Sequence, residues 1–156
     1  MGSLEEQGIP YAVLGGWALN AHGFVSTTAD LDLLLDGDEV ETFQEIHPEP
    51  TNHGISIHLF LAGQYPGDGR PKPVAYPDPA STAVRGERVA LLPLPRLIEL
   101  NLASGMTAPD RLKDLADVLE VICALKLPAE FADQLNPYVR EKYLELWQAA
   151  QFRDPE

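Results

Sequence analysis

The sequence predicts an α+β fold, in which a mixed sheet of about four or five strands is flanked by helices. Short apolar segments rich in strand-forming residues, separated by glycine and proline, lie within residues 1–92. Longer segments with the 3–4 spacing of amphipathic helices lie within residues 93–156. A chain of 156 residues is long enough to bury the core of one domain. We therefore expect a sheet-containing core, 1–92, and a helical C-terminal part, 93–156, of the same domain.

Charge is distributed unevenly along the chain, whose formal net charge is −13. Residues 1–69 contain eleven acidic residues and no Lys or Arg, and all eleven Lys and Arg residues follow them. A nucleic-acid-binding protein needs a basic surface to contact phosphates. We therefore do not expect long RNA or DNA as a partner.

Composition also predicts a cytoplasmic protein. No apolar run approaches the roughly 18 residues of a membrane span, and no signal peptide is recognisable. The one cysteine, Cys123, allows no internal disulfide, and its apolar neighbours predict that it is buried. We therefore expect no membrane partner.

The first strand, Tyr11–Leu14, is predicted by a run of apolar and aromatic residues that ends at Gly15 and Gly16. Paired glycines permit positive φ and the close approach of a ligand to the backbone. A helix beginning near Trp17 would present free N–H groups and the positive end of its dipole to that ligand. This arrangement favours a phosphate group.

Asp30 and Asp32 lie in the next predicted strand, flanked by leucines. Strand side chains two residues apart face the same side. Two like charges beside apolar residues are costly unless a cation binds them, and Mg²⁺ is commonly held by one or two carboxylates plus substrate phosphates. The alternative is that both carboxylates lie at a strand end in water.

A helix over residues 39–46, with Asp38 as its N-cap, is predicted before a strand over Ile55–Leu61. If that strand pairs beside Asp30 and Asp32, His58 faces their side chains. The alternative is that His58 is a packed core residue.

Residues 63–81 contain eight glycine and proline residues, which predict a long surface loop. The loop carries Arg70 and Lys72, the first cations of the chain. It is either a lid or acceptor-binding loop near the site, or a disordered connector.

A strand, a tight turn and a strand are predicted over 84–91, and helical segments follow. The helices are expected over residues 95–103 (ending at Gly105), 111–126 (after a capping box at 107–110), 128–135 and 137–151. In the second of them, the spacing of four apolar residues predicts a buried stripe. They are Leu112, Leu115, Leu119 and Ile122.

The charged residues of this segment, Arg111, Lys113, Asp114 and Asp117, lie outside that stripe. They either belong to a solvated face, on which Lys113 pairs with Asp117 four residues later, or Arg111 or Lys113 reaches a triphosphate.

Two blocks of sequence together resemble the DNA polymerase β-like nucleotidyltransferase superfamily. The first is Leu14-Gly15-Gly16, thirteen residues, then Asp30-Leu31-Asp32. The second comprises residues 97–105 and 111–117 and resembles the helical part of the same proteins. The closer resemblance is to small bacterial members related to the abortive-infection nucleotidyltransferase toxins.

This resemblance implies a metal-dependent enzyme that moves a nucleotidyl group from an NTP to a small-molecule or protein hydroxyl. It implies that Asp30 and Asp32 are the catalytic, metal-binding residues, with Mg²⁺ or Mn²⁺ as the ion. It further implies that Gly15, Gly16 and Thr28 bind the nucleotide, with Arg111 and Lys113 as further phosphate contacts.

Three positions depart from the family pattern. His58 stands where relatives usually have a third carboxylate, Ser26 where they often have Arg, and Asn101 where they often have Lys. His58 is then a substitute metal ligand, which would favour Mn²⁺ or Zn²⁺. The alternative function is a catalytically inactive binding module with a cognate protein partner, in a toxin–antitoxin or regulatory pair.

Overall fold

The structure, a computed structural model, describes residues 2–24, 30–46, 51–52, 55–86 and 89–152. It divides into two compact units. The first combines Met1–Gln64 with Tyr76–Pro93, and the second combines Tyr65–Ala75 with Leu94–Glu156. Part of the predicted loop 63–81 therefore belongs to the helical unit. That the two units form a single domain remains a prediction.

The strands of the first unit form one mixed sheet. Among the residues described they are β1 (Tyr11–Leu14), β2 (Leu31–Leu35), β3 (Thr51–Asn52), β4 (Ile55–Leu61), β5 (Val84–Arg85) and β6 (Ala90–Leu91). Their order across the sheet is β3-β4-β2-β1-β6-β5. β1 is antiparallel to β2 and parallel to β6, and β2 is parallel to β4. The predicted fold class is confirmed, and the two strands predicted over 84–91 are present as β5 and β6. β3, which was not predicted, has only two residues, too few for a hydrophobic pattern to reveal.

The centre of this sheet is buried on both faces. All four residues of β1 are buried, and Leu33, Leu34 and Leu35 of β2 are fully buried. Because neighbouring strand residues face opposite sides, neither face is open to water at this point. At its other end β2 emerges through the half-buried Asp32 to the exposed Asp30. The carboxylates therefore lie where the core gives way to solvent.

Short helices accompany the sheet in the described part of the first unit. They are α1 (Gly2–Glu6), α2 (Gly15–Ala21), α3 (Val40–Ile46) and α4 (Pro79–Thr82). The predicted start of α2 near Trp17 was wrong, because the helix begins directly at Gly15, whose φ is +71°.

The predicted N-cap Asp38 was also wrong. A 3₁₀ turn, Gly37–Glu39, precedes α3, and Asp36 caps this turn by accepting a 3.0 Å hydrogen bond from the Asp38 N–H. Aspartate favours this geometry because its short side chain reaches the N–H two residues later.

The second unit contains three longer helices among its described residues. They are α5 (Leu94–Thr107), α6 (Leu112–Leu125) and α7 (Pro137–Gln151), with 3₁₀ turns at Pro109–Arg111 and Ala129–Gln134. The prediction of the last helix is confirmed to the residue, because Pro137 fixes its start and Asn136 caps it through the Tyr138 N–H. No helix among the described residues is both long and apolar enough to cross a membrane.

Gly105 lies inside α5, so the prediction that it ends the helix was wrong. A Cβ at this position would lie 2.8 Å from Leu115 Cδ2 and 3.2 Å from the Arg111 carbonyl oxygen. The glycine is therefore needed for the close approach of α5 to the segment that begins α6, and not for a helix end.

The predicted buried stripe of α6 was confirmed only in part. Ile122 is buried, Leu115 and Leu119 are half-buried, and Leu112 is 63% exposed. The other buried residues of the helix are Asp114, Val118 and Val121. Asp114 tolerates burial because its carboxylate accepts a 2.6 Å hydrogen bond from Ser104 Oγ and a 3.0 Å one from Arg111 Nε. The predicted capping box is not formed either, since the Thr107 hydroxyl donates back to the Ala103 carbonyl.

Residues 65–75 are folded around the ammonium group of Lys72, whose side chain is 4% exposed. Its Nζ donates to the carbonyls of Pro66 and Arg70 and to the carboxylate of Asp68, at 2.7–2.8 Å. The Lys72 hydrogen bond to the carboxylate, followed by one from the Arg70 N–H, lowers the pKa of Asp68. Residues 65–75 therefore do not form a disordered connector, which was one of the two alternatives for this loop. Because all three ammonium donors are used, Lys72 cannot also bind a phosphate in this conformation.

We expect Gly105→Ala to destabilise the protein by about 1–3 kcal/mol, because the added methyl overpacks the contact with Leu115. The sign of the change in the free energy of unfolding tests the contact, since Gly→Ala inside an uncrowded helix stabilises a protein by about 1 kcal/mol. Urea unfolding of Gly105→Ala, Leu115→Ala and the double variant measures this. The double variant should be more stable than the sum of the single effects predicts; simple additivity would contradict the contact.

We expect Tyr143→Phe to change how stability depends on alkaline pH. Burial, and to a lesser degree the charge of Glu130, raises the pKa of Tyr143 to about 12. The folded state therefore holds the phenolic proton more tightly than the unfolded state, whose pKa is about 10. The resulting stability is present below about pH 10 and is lost as the pH rises toward about 12.

Because phenylalanine has no phenolic proton, the variant does not lose stability in this way as the pH rises. It also cannot form the 2.8 Å hydrogen bond that the Tyr143 hydroxyl donates to the Pro128 carbonyl. Near neutral pH it should be less stable than wild type by about 1 kcal/mol. Denaturant unfolding at several pH values should show the two proteins converging above about pH 10. A difference that stays constant across this range would contradict the assignment.

Candidate functional site

Gly15 and the carboxylate of Asp32 lie in close contact at the end of β1. The antiparallel register places Leu14 opposite Asp32. A Cβ added at Gly15 would overlap Asp32 Oδ2 and would lie 3.1 Å from Asp32 Cγ. With its φ of +71°, the position requires glycine for both its backbone conformation and its space. The predicted proximity of the glycine turn and the second aspartate is therefore present in the structure.

β4 brings His58 beside the same carboxylates. Asp32 and His58 are directly paired in the parallel register of β2 and β4. His58 Nε2 lies 3.9 Å from Asp30 Oδ2, and His58 Nδ1 lies 3.9 Å from Asp32 Oδ1. The side chains of His58 and Asp30 are more than half exposed, and that of Asp32 is 28% exposed. The structure thus brings together these three residues and makes them accessible from solvent.

The first unit offers few cations to balance a polyphosphate. Arg85 is the one Lys or Arg residue that the structure describes there, and it pairs with Glu5. The Tyr11 hydroxyl donates to the same carboxylate at 2.9 Å, and these two bonds lower the pKa of Glu5. Arg85 is therefore already committed to the contact between α1 and β5. A phosphate bound near Gly15 would need a metal ion, backbone N–H groups or cations from other residues.

The donor set fits a divalent ion that also binds substrate. Over the described ranges, no three His, Cys, Asp or Glu side chains form a ready-made metal cluster. Mg²⁺ does not need one, since one or two carboxylates plus substrate phosphates usually hold it. Asp30 and Asp32 would supply those carboxylates, and the Asp32 carboxylate itself fills the space that a Cβ of residue 15 would need.

The other predicted site residues divide into two groups. Thr28 and Ser26 lie outside the described residues. Arg111 and Lys113 lie in the second unit, where each already has an acidic partner: Arg111 Nε is 3.0 Å from Asp114 and Lys113 Nζ is 3.0 Å from Asp117. The Lys113–Asp117 pair predicted for a solvated face is therefore present. A phosphate would have to compete with these carboxylates.

Asp114 is the polar residue that sequence reasoning missed. It was assigned to the outer face of α6, yet it is 8% exposed and fixes the Arg111 side chain through two hydrogen bonds. The spacing of three residues between Arg111 and Asp114 was the available signal, because side chains so placed meet on a helix surface.

Comparison with solved structures identifies the fold. The solution structure of the antibiotic-resistance factor ANT(2'')-Ia, an aminoglycoside nucleotidyltransferase, matches with a TM-score of 0.55 at 16% sequence identity, covering 97% of this chain and 93% of that chain. A crystal structure of ANT(2'')-Ia in complex with adenylyl-2''-tobramycin matches with a TM-score of 0.49 at 13% identity, covering 96% and 91%. No protein-family model and no curated protein sequence matches the chain. The first of these matches shows that the chain has a nucleotidyltransferase fold, and its place among the abortive-infection toxins remains a prediction.

We expect Gly15→Ala to cost more stability than Gly8→Ala, its matched control. Both glycines lie in the first unit with φ near +70°, but a Cβ at Gly8 would meet nothing within 4 Å. The control should lose about 1–2 kcal/mol from backbone strain alone. Gly15→Ala should lose at least about 1 kcal/mol more, because its methyl displaces Asp32.

Chemical unfolding of both variants, with and without Asp32→Ala, measures the difference. The excess cost at Gly15 should shrink when the Asp32 carboxylate is absent. Equal costs at the two glycines would show that the carboxylate does not lie over Gly15.

Proposed function

We propose that this protein is a metal-dependent nucleotidyltransferase, which moves a nucleotidyl group from an NTP to a hydroxyl of a small molecule or protein. The observation that carries the proposal is the close contact of the Asp32 carboxylate with Gly15, together with Asp30, whose carboxylate lies beside the same His58 imidazole as that of Asp32. The nucleotidyltransferase fold supports it.

We propose that the triphosphate binds at the glycine turn. Gly15 and Gly16 form the first residues of α2, so N–H groups of the first turn lack intrahelical partners. Such groups favour an anion. Thr28 is proposed as a further nucleotide contact. Arg111 and Lys113 are proposed to neutralise phosphate charge by exchanging their present acidic partners for phosphate oxygens.

Asp30 and Asp32 are proposed to hold Mg²⁺ or Mn²⁺ together with NTP phosphates, with His58 as an additional ligand. When bound, such an ion neutralises phosphate charge and orients the reacting groups. Without it, two carboxylates beside each other would repel a triphosphate. The ion is thus what allows an acidic site to accept an anionic substrate.

The proposed reaction is an in-line displacement at the α-phosphorus. The acceptor oxygen forms a bond to this phosphorus while the bond to the β-phosphate oxygen breaks. Pyrophosphate leaves with that electron pair, and the acceptor proton passes to a neighbouring base or to water. The chain's own contribution is to hold the NTP and the acceptor in line beside the carboxylates.

An inactive binding module is the second candidate function. It is favoured by His58, which stands 3.9 Å from each carboxylate in place of a third acid. Such a module would retain NTP affinity and act in a toxin–antitoxin or regulatory pair with a cognate protein. Under either candidate function, we propose that the protein acts in the cytoplasm.

A nucleotide-incorporation assay tests the enzyme proposal. It measures the transfer of label from α-labelled NTPs to hydroxyl-bearing small molecules and proteins in the presence of Mg²⁺ or Mn²⁺. Asp30→Ala should reduce incorporation by about 100-fold or more, because transition-state charge is no longer balanced. Asp38→Ala is the matched control, since this exposed acid follows the opposite end of β2. The control should retain wild-type incorporation.

His58→Asp separates the two functions. If a lost third carboxylate limits the rate, this variant should incorporate label faster than wild type. NTP binding without incorporation in wild type, Asp30→Ala or His58→Asp would reject the enzyme and leave the binding module.

A further inference from the structure

Arg70 is an exposed cation that has no acidic side chain in contact with it. Among the residues that the structure describes, its guanidinium group forms no hydrogen bond and no ion pair. The charge of Arg70 acts on Asp68 only through space, because Asp68 Oδ1 already accepts from Lys72 Nζ and from the Arg70 backbone N–H. The donors of the Arg70 guanidinium group are therefore all left to solvent.

Other cations of the second unit already have partners. Acidic side chains or backbone carbonyls engage the described residues Arg96, Arg111, Lys113, Arg140 and Lys142. Lys126 is also exposed, but it caps the C-terminal end of α6, where the helix dipole favours a positive charge. Arg70 differs from both kinds of cation, because neither an acid nor a helix end accounts for its charge.

The backbone of Arg70 is held from two sides. The Asp68 carboxylate accepts from the Arg70 N–H at 3.0 Å, and the buried Lys72 ammonium donates to the Arg70 carbonyl at 2.7 Å. An ammonium group tolerates burial only when its donors are satisfied, so Lys72 and this turn stabilise each other. The entropic cost of ordering the turn is therefore met on folding and not on binding a ligand.

The same turn packs against α5 and is open to solvent next to Arg70. A Cβ at Gly67 would overlap Thr107 Oγ1 and would lie 2.8 Å from the Ser104 carbonyl oxygen, so the backbone lies directly on the last turn of α5. A Cβ at Gly69, by contrast, would meet nothing within 4 Å. A ligand therefore has room to approach the backbone beside Arg70.

We propose that Arg70 binds a phosphate group and that Lys72 is the residue that positions it. A guanidinium group donates two parallel N–H bonds to phosphate oxygens, which makes arginine well suited to this ligand. Unlike Arg111 and Lys113, Arg70 has no acidic partner to release first. The inference deepens the proposed function and rests on it for the source of the phosphate, which is the NTP.

Isothermal titration calorimetry of the full chain tests the proposal without any need for turnover. The ligands are tripolyphosphate and, separately, each of the four NTPs, with and without Mg²⁺. Arg70→Ala should weaken the binding of both kinds of ligand by about tenfold or more, because a charge-assisted pair is lost. Arg70→Lys should fall between wild type and Arg70→Ala, since lysine keeps the charge but not the paired donors.

Lys126→Ala is the matched control, because it removes the other exposed cation that has no acidic partner. Its affinity for both kinds of ligand should change by no more than about twofold, since solvent and salt screen a distant surface charge. Urea unfolding should show that Arg70→Ala is as stable as wild type, because the side chain it removes contacts no described residue.

Lys72→Met tests the positioning role, since methionine keeps an apolar stem and lacks the ammonium group. It should weaken tripolyphosphate binding about as much as Arg70→Ala does. The double variant should bind no more weakly than Arg70→Ala alone, because Lys72 acts through Arg70. Additive losses in the double variant would reject the positioning role.

Two results would overturn the inference and leave the proposed function intact. They are unchanged phosphate affinity in Arg70→Ala, and equal losses in Arg70→Ala and Lys126→Ala, which would indicate unspecific attraction. A loss of tripolyphosphate affinity with unchanged NTP affinity would support the Arg70 site and assign its phosphate to a molecule other than the NTP. Failure of wild type to bind any NTP would reject the proposed function, whereas tripolyphosphate binding that depends on Arg70 would still support the site.

Discussion

The contact between the Asp32 carboxylate and the backbone of Gly15 is the constraint on which the candidate site depends. It joins two segments that are adjacent in the sheet but far apart in sequence. β1 must be followed directly by a residue without a side chain, because a Cβ at Gly15 would occupy the place of the carboxylate. The positive φ of the same glycine allows α2 to begin at once. The absence of a Cβ at residue 15 thus permits both the turn into α2 and the position of the Asp32 carboxylate.

Charge explains why such a site needs outside help. The first unit is strongly acidic, and Arg85, its described cation, is engaged by Glu5. The fold presents two carboxylates at the edge of its core, with His58 beside them. Such a site is suited to binding a cation and poorly suited to binding an anion alone. An anionic substrate becomes acceptable only when an ion accompanies it. This coupling is the physical reason for linking nucleotide and metal in the proposed function.

The sequence predicted the sheet better than the helices. Its strands were recognisable because β1 and β2 are buried and apolar, and the i, i+2 rule correctly placed Asp30 and Asp32 on one side.

The helical errors have physical causes. Gly105 was interpreted as a helix end because glycine usually breaks helices, whereas here it permits close packing against Leu115. Asp114 was placed outside because a charge is rarely buried, but Ser104 and Arg111 satisfy it. Such tertiary partners are invisible to spacing rules. The same limit applies to His58, whose nearness to both acids depends on which strands pair.

The most direct test of the central claim is the anomalous diffraction signal of Mn²⁺ in crystals grown with a non-hydrolysable NTP analogue. The account predicts a peak in contact with the Asp30 and Asp32 carboxylates, and triphosphate density against Gly15 and Gly16. A peak that lies away from these two side chains, or a triphosphate bound elsewhere on the chain, would contradict it.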